Sequence, residues 1–163
     1  MDQQFLAEAD RFLGEYLHKI GTCVALLDGD QLWWRPNAAC NSVGNLLLHL
    51  RGNLSQWVLD AIGGEKIERH RSEEFAARES ATAEAMMGGL TDVVGRVRQT
   101  IGAMRPADLA RRMVVQGYET DGLGVVFHVV EHMSYHTGQI VDRTKELLGP
   151  AAGIEFYPQH RGE

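Results

Sequence analysis

Hydrophobic residues recur at three- and four-residue steps in four stretches of the chain, a spacing that places apolar side chains on one face of an α-helix. These stretches predict helices over about 2–27, 42–62, 81–104 and 122–148. Strand-like alternation is otherwise absent, although Arg112–Val115 could form a short extended piece. Four helices of this length, each roughly 30 Å long, have the proportions of a four-helix bundle. The pattern therefore predicts an all-α protein.

Start and stop signals flank several of these helices. Asn41 and Ser80 are the predicted N-caps of the second and third helices, because their side chains can accept hydrogen bonds from the first turn. Asp28–Asp30 predicts a turn, and Gly63–Gly64 and Gly149–Pro150 predict the ends of the second and fourth helices.

The predicted connections are long. They cover 28–41, 63–80 and 105–121, more than simple antiparallel helix pairs need. We therefore expect at least one connection to cross the bundle, and these segments could also cover a site at one end.

Length and charge narrow the possible functions. The 163 residues, 44% of them hydrophobic and 23% charged, are typical of one globular domain, which we assign to residues 1–163. A net charge of -6 argues against nucleic acid as the main partner, because phosphate binding requires a basic face. No apolar run approaches the roughly 20 residues of a membrane span, and the first twenty residues lack the apolar core of a signal peptide. A cytoplasmic protein with two free thiols, Cys23 and Cys40, is therefore expected.

Three histidines follow one another at four-residue steps in the fourth helix. Each step turns the helix by about 400°, so His128, His132 and His136 point nearly the same way. The first and last are separated by about 12 Å along the axis, too far for one metal ion at bond lengths near 2.1 Å. Spacing therefore predicts a metal bound by an adjacent pair. It requires His132 and leaves the choice between His128 and His136 open.

His49 is the best candidate for a third ligand. It lies midway along the second predicted helix, with leucines on either side, where an unpaired polar group would be costly. The alternative is a core histidine satisfied by a hydrogen bond. Three histidines on one divalent metal would leave coordination positions for water and substrate, as in catalytic sites.

Two segments then show a resemblance to a known family. Asn41–Leu50, followed by Gly52, Asn53 and Trp57, resembles the second helix of DinB/YfiT-like proteins, and His128–Ile140 resembles their last helix. The order Trp33-Trp34-Arg35-Pro36, Arg69-x-Arg71 and Glu74-Phe75 is similar to one subgroup of that superfamily.

The resemblance implies a four-helix bundle with a crossover connection, usually dimeric. It also implies a divalent metal, most often zinc or nickel, held by His49, His132 and His136. On this pattern His128 is not a ligand but lies one turn away, where it could line the pocket.

Characterised relatives in the superfamily are S-transferases and isomerases that use low-molecular-weight thiols. The resemblance therefore implies a metal-dependent enzyme acting on a small-molecule substrate, with the metal lowering the pKa of a thiol. Activation of water would instead give a metal-dependent hydrolase. A third alternative is a non-catalytic, stress-related dimer whose metal site is structural or vestigial.

Polar residues near the histidines are candidates for the surrounding pocket. Asn45 and Asn53 lie one turn on either side of His49, and Gln139 lies nearly one turn beyond His136. Each could orient the site or simply lie on a helix surface. A basic cluster could attract the carboxylates of a thiol cofactor, although such runs are more often solvated loops. It comprises Lys66, Arg69, His70 and Arg71.

Overall fold

The structure is a computed structural model that describes residues 1–79 and 81–157. Its helices are α1 (Asp2–Val24), α2 (Gly29–Trp33), α3 (Val43–Leu54), α4 (Arg71–Ala76), α5 (Ala83–Gly102), α6 (Pro106–Leu109) and α7 (Gly122–Leu148). A π-helical segment, Ser55–Asp60, continues α3, and a 3-10 turn, Gly149–Ala152, follows α7. The strands β1 (Arg112–Val115) and β2 (Tyr118–Asp121) form one antiparallel hairpin.

The four long helices surround one hydrophobic core. Leu13, Leu50, Leu90 and Met133, one from each of α1, α3, α5 and α7, are all completely buried. α1 and α3 each pack against both α5 and α7, so these two consecutive helices lie diagonally across the bundle. The connection between them therefore spans a diagonal. The predictions of an all-α protein and of a four-helix bundle with a crossover connection are confirmed.

The second predicted helix differs from the structure at both ends. Its N-cap is Ser42 rather than Asn41, with Ser42 Oγ accepting from the Asn45 backbone N–H at 3.1 Å. After Leu54 the backbone becomes π-helical. The i→i+5 hydrogen bonds of this segment give it a wider turn than an α-helix, and Trp57 within it is buried, so apolar periodicity does not reveal the change.

The other helix boundaries follow local capping chemistry. α7 begins and ends where the pattern predicts, since Asp121 accepts from the Gly124 backbone N–H at 2.9 Å and the chain turns at Gly149 with φ +66°. The predicted turn at 28–30 instead contains Asp28 as the N-cap of α2. Thr82 caps α5, while Ser80 lies outside the described residues.

The β-hairpin leads into α7. Gln116 and Gly117 form its two-residue turn with φ values of 54° and 82°, the positive angles of a type I′ turn. This hairpin confirms the extended piece that Arg112–Val115 suggested, and it brings Gln116 and Tyr118 to the cavity beside the histidines.

Across residues 1–79 and 81–157, none of the helices combines the length and the apolar character that crossing a membrane requires.

Candidate metal centre

Three histidine side chains from two helices meet inside the bundle. His49 of α3 and His136 of α7 are 5% and 8% exposed, and His132 is half-buried between them. The Nε2 atom of His132 lies 3.1 Å from His49 Nε2 and 3.2 Å from His136 Nε2. Three imidazole nitrogens bound to one metal at about 2.1 Å would be separated by roughly 3.0–3.4 Å at bond angles between 90° and 110°. Two of the three separations fall in this range, and the three ligand atoms all lie within 4.8 Å of one another, so the cluster could hold one metal ion.

The outer nitrogens of two histidines are fixed by oxygen acceptors. His49 Nδ1 lies 2.9 Å from Glu74 Oε2, and His136 Nδ1 lies 2.7 Å from Gln139 Oε1. Both oxygens are acceptors, so these hydrogen bonds put the hydrogen on each Nδ1 and leave each Nε2 lone pair facing the cluster. Arg69 Nη2 also lies 3.2 Å from His49 Nδ1, but it has a shorter hydrogen bond to Glu74 Oε2, at 2.9 Å.

Hydrogen bonds alone cannot satisfy both the ring nitrogens of His132 and the two lone pairs that face it. If its hydrogen is on Nε2, it can donate to only one of the two facing lone pairs. If the hydrogen is on Nδ1, it has no acceptor, since His132 Nδ1 is buried and has no hydrogen-bond partner among the described residues. A divalent cation would satisfy all three Nε2 lone pairs at once, so the donor set fits a metal.

Burial keeps the imidazoles of His132 and His136 neutral. Removal from water, reinforced by the neighbouring His136 and His49, lowers the pKa of His132 to about 3. Burial also lowers the pKa of His136, although the hydrogen bond with Gln139 acts in the opposite direction. At neutral pH both rings are therefore uncharged, and each has one nitrogen lone pair available, as metal binding requires.

Glu74 and Arg69 form a buried ion pair behind His49. Arg69 donates from Nε to Glu74 Oε1 at 2.6 Å and from Nη2 to Oε2 at 2.9 Å, with side chains 4% and 10% exposed. Burial raises the pKa of Glu74, but the hydrogen bonds from Arg69 and His49 outweigh it and hold that pKa below its usual value. An ionised carboxylate therefore orients His49.

Sequence reasoning missed this pair as part of the site. The interpretation of the basic run as a solvated loop is wrong for Arg69, although Lys66, His70 and Arg71 are exposed. The available signal was the order of Arg69 and Glu74, which figured only in the family resemblance.

His128 lies one turn before the cluster and has different neighbours. Its ring centroid is 3.9 Å from that of Trp57, and its Nε2 is 3.3 Å from Asn53 Nδ2. His128 therefore contacts the predicted pocket residue Asn53, and both line the cavity next to the three histidines.

The other two predicted pocket residues have separate contacts. Gln139 reaches His136, as described above. Asn45 contacts the α4 region instead, since its Nδ2 donates to the carbonyls of Glu74 at 2.8 Å and Ala77 at 2.9 Å. Asn45 thus supports the segment that carries Glu74.

A cavity of about 280 Å³ opens beside the histidines. Its walls come from α3, the π-helical segment, the loop before α4, the start of α4, the hairpin and α7. The lining residues are His49, Asn53, Trp57, Arg69, Arg71, Gln116, Tyr118, His128 and His132. A small molecule in this space would lie against two of the three clustered histidines.

Known structures share this fold at low sequence identity. A conserved protein from Enterococcus faecalis is 13% identical with a TM-score of 0.73, over 88% of this chain and 96% of that one. A DinB-like protein from Bacillus cereus is 14% identical with a TM-score of 0.63, over 83% and 90% of the two chains. These similarities confirm the DinB-like fold.

The sequence comparisons point to a family without an assigned activity. The sequence matches no curated protein. Residues 1–151 match the family described as "Protein of unknown function (DUF1572)", and the chain belongs to that family.

Proposed function

We propose that His49, His132 and His136 bind one divalent metal ion, and that the protein is a metal-dependent enzyme transferring a group to or from a low-molecular-weight thiol. The observation that carries the proposal is the convergence of three Nε2 atoms, with the outer nitrogens of His49 and His136 held by oxygen acceptors. Such an arrangement prepares lone pairs for a cation.

Zinc or nickel is the proposed metal, because imidazole ligands suit both. When bound, the metal would supply a positive charge that lowers the pKa of a thiol, so that the nucleophilic thiolate forms near neutral pH. Glu74 and Gln139 would hold two of the ligand rings in place during the reaction.

Two features favour a catalytic role over a structural one. The candidate ligand set found among the described residues contains three side chains, whereas structural zinc sites are usually closed by four. The cavity also reaches His49 and His132, which gives a small substrate access to the centre.

Metal analysis of the untagged protein tests the metal site. We expect about one equivalent of zinc or nickel per chain in the wild type, and loss of that metal in His132→Ala, because His132 lies between the other two histidines. His18→Ala, at an exposed position on α1, is the matched control and should retain the metal. Full metal content in His132→Ala would show that the proposed site is wrong.

A conjugation screen tests the reaction. The metal-loaded protein is incubated with small thiols and electrophiles, and metal-dependent loss of free thiol is the expected result. Turnover that needs metal but no thiol would support a hydrolase instead. If chelation lowers the melting temperature while no substrate is turned over, the metal is structural.

A cytoplasmic homodimer completes the proposal, following the family resemblance. Light scattering during size-exclusion chromatography gives the mass in solution. A mass of one chain, 18.1 kDa, would contradict the dimer.

A further inference from the structure

The cavity beside the histidines has an unusual charge for this protein. The chain carries 22 acidic residues against 16 lysines and arginines, yet no Asp or Glu is among the described residues that line the cavity. Two arginines, Arg69 and Arg71, do line it. Such a wall favours an anion over a cation.

The two arginines differ in whether their charge is free to pair with a ligand. Arg69 is neutralised by Glu74 through two hydrogen bonds. Arg71 is exposed at the cavity, its guanidinium lies 5.0 Å from the centre of the Phe75 ring, and it has no ion pair among the described residues. Arg71 is therefore the group that can pair with a negative charge on a ligand.

Asn53 supplies a second, independent indication of a ligand. Its side chain lines the cavity and is only 4% exposed, and its Oδ1 has no hydrogen-bond partner within residues 1–79 and 81–157. A buried acceptor without a partner is costly, and a ligand N–H or O–H placed there would remove that cost.

We infer that the substrate is a small carboxylate that also carries a hydrogen-bond donor, with the carboxylate paired to Arg71 and the donor bound to Asn53 Oδ1. This inference rests on the proposed function in one respect, namely that the reacting thiol is the end of the molecule that faces the histidines. The volume of about 280 Å³ has room for a group the size of a modified amino acid.

Three thiols that differ by one group each test the inference. N-acetylcysteine has the thiol, an amide N–H and a carboxylate, N-acetylcysteamine lacks the carboxylate, and 3-mercaptopropionate lacks the amide. Calorimetric titration of the zinc-loaded protein gives the three dissociation constants. We expect N-acetylcysteine to bind about fivefold tighter than either of the others, the magnitude of an exposed charge pair or of one neutral hydrogen bond.

Variants assign each preference to its residue. Arg71→Gln should remove the preference for N-acetylcysteine over N-acetylcysteamine. The side-chain amide of the introduced glutamine is neutral and cannot form an ion pair with the carboxylate of N-acetylcysteine. Lys66→Gln, exposed in the same connection but outside the cavity, should preserve that preference. Asn53→Leu should remove the preference for N-acetylcysteine over 3-mercaptopropionate. If Asn53→Leu does not fold, the comparison of these two thiols on the wild type still tests the donor.

The possible outcomes separate the inference from the proposed function. Equal binding of N-acetylcysteine and N-acetylcysteamine to zinc-loaded wild type, or a carboxylate preference that survives Arg71→Gln, would overturn the inference. N-acetylalanine lacks the thiol. If it binds as tightly as N-acetylcysteine while the carboxylate preference persists, the inference stands and the proposed contact between thiol and metal fails. Added salt should weaken the carboxylate preference and leave N-acetylcysteamine binding unchanged.

Discussion

His128 and His136 lie one helical turn on either side of His132, yet they occupy different environments. His136 faces His49 across the bundle, with ring centroids 5.0 Å apart, and its Nδ1 is held by Gln139. His128 faces Trp57, with its Nε2 near Asn53. Equal spacing along α7 therefore does not choose the metal ligand. The choice depends on which side chain of the neighbouring helix lies opposite.

The neighbouring helix that faces these two histidines changes from α-helical to π-helical geometry after Leu54. His49 lies in the α-helical part of this element, α3, whereas Trp57 lies in its π-helical continuation. His49 thus lies beside His132 and His136 at one end of the histidine row, whereas Trp57 packs on His128 at the other end. The candidate centre is therefore formed by α3 and α7 together.

Replacing the outer histidines His128 and His136 one at a time should give the clearest difference in metal content. His136→Ala should lose its metal, because one of three converging nitrogens disappears, while His128→Ala should retain about one equivalent. Elemental analysis after dialysis against metal-free buffer measures both. Equal loss of metal in the two variants would mean that His128 also binds the metal. The different environments of His128 and His136 would then not determine which of them is a ligand.

Glu74→Gln should weaken metal binding by about 10- to 100-fold, the usual cost of losing a group that orients a histidine ligand. Metal affinity falls because His49 Nδ1 loses its charged hydrogen-bond acceptor. The free energy of unfolding should also fall, because Arg69 loses its buried ion-pair partner. Competition with a metal-binding dye gives the affinity. Glu73→Gln, its exposed neighbour on α4, is the control and should behave as wild type.

Gly52→Ala should weaken the centre without touching a histidine. A Cβ at Gly52 would lie 2.2 Å from Glu74 Oε1 and 2.8 Å from Arg69 Nε, so the ion pair behind His49 must shift. We expect about a tenfold loss of metal affinity, toward the lower end of the range for a disturbed orienting group.

Gly95→Ala provides the matched control, since nothing lies within 4 Å of a Cβ at that position in α5. That substitution should raise the free energy of unfolding by about 0.5–1 kcal/mol and leave metal affinity unchanged. Unchanged affinity in Gly52→Ala would contradict the role of the Glu74–Arg69 pair.

The metal-free protein should lose stability in acid. An unfolded histidine has a pKa of about 6.5, whereas the pKa of His132 in the folded protein is about 3. Between these values the unfolded state binds more protons, so the free energy of unfolding falls as the pH drops below about 6.5, by at most about 1.4 kcal/mol per pH unit for one histidine. Above that pH this contribution is constant.

Denaturation by urea at a series of pH values measures this slope. The burial of His128 also lowers its pKa, although Glu131 acts against the shift. Replacing His132 should therefore flatten the slope more than replacing His128. If the free energy of unfolding had the same pH dependence in both variants, folding would lower the pKa values of His132 and His128 equally, which would contradict this prediction.

Much of the fold was predictable because local signals agree with the tertiary structure. The bounds of α7 follow from an apolar pattern, a capping Asp121 and a stop at Gly149. The pattern predicted α1 three residues too long, since apolar periodicity continues through Leu27, which is buried beyond the end of the helix. The π-helical segment left no signal, because Trp57 and Val58 are buried in either helical form.

The sequence alone was enough to predict the four long helices, the row of histidines on α7 and the isolated His49 among leucines, because hydrophobic periodicity and capping depend on neighbouring residues. Residue spacing left open which histidines meet, and only the family resemblance indicated the set. The packed helices show that set, the contact of His128 with Trp57 and the contact of Glu74 with His49. These contacts join residues separated by 83, 71 and 25 positions along the chain. Their geometry depends on how whole helices pack and where α3 becomes π-helical, and no local pattern specifies that.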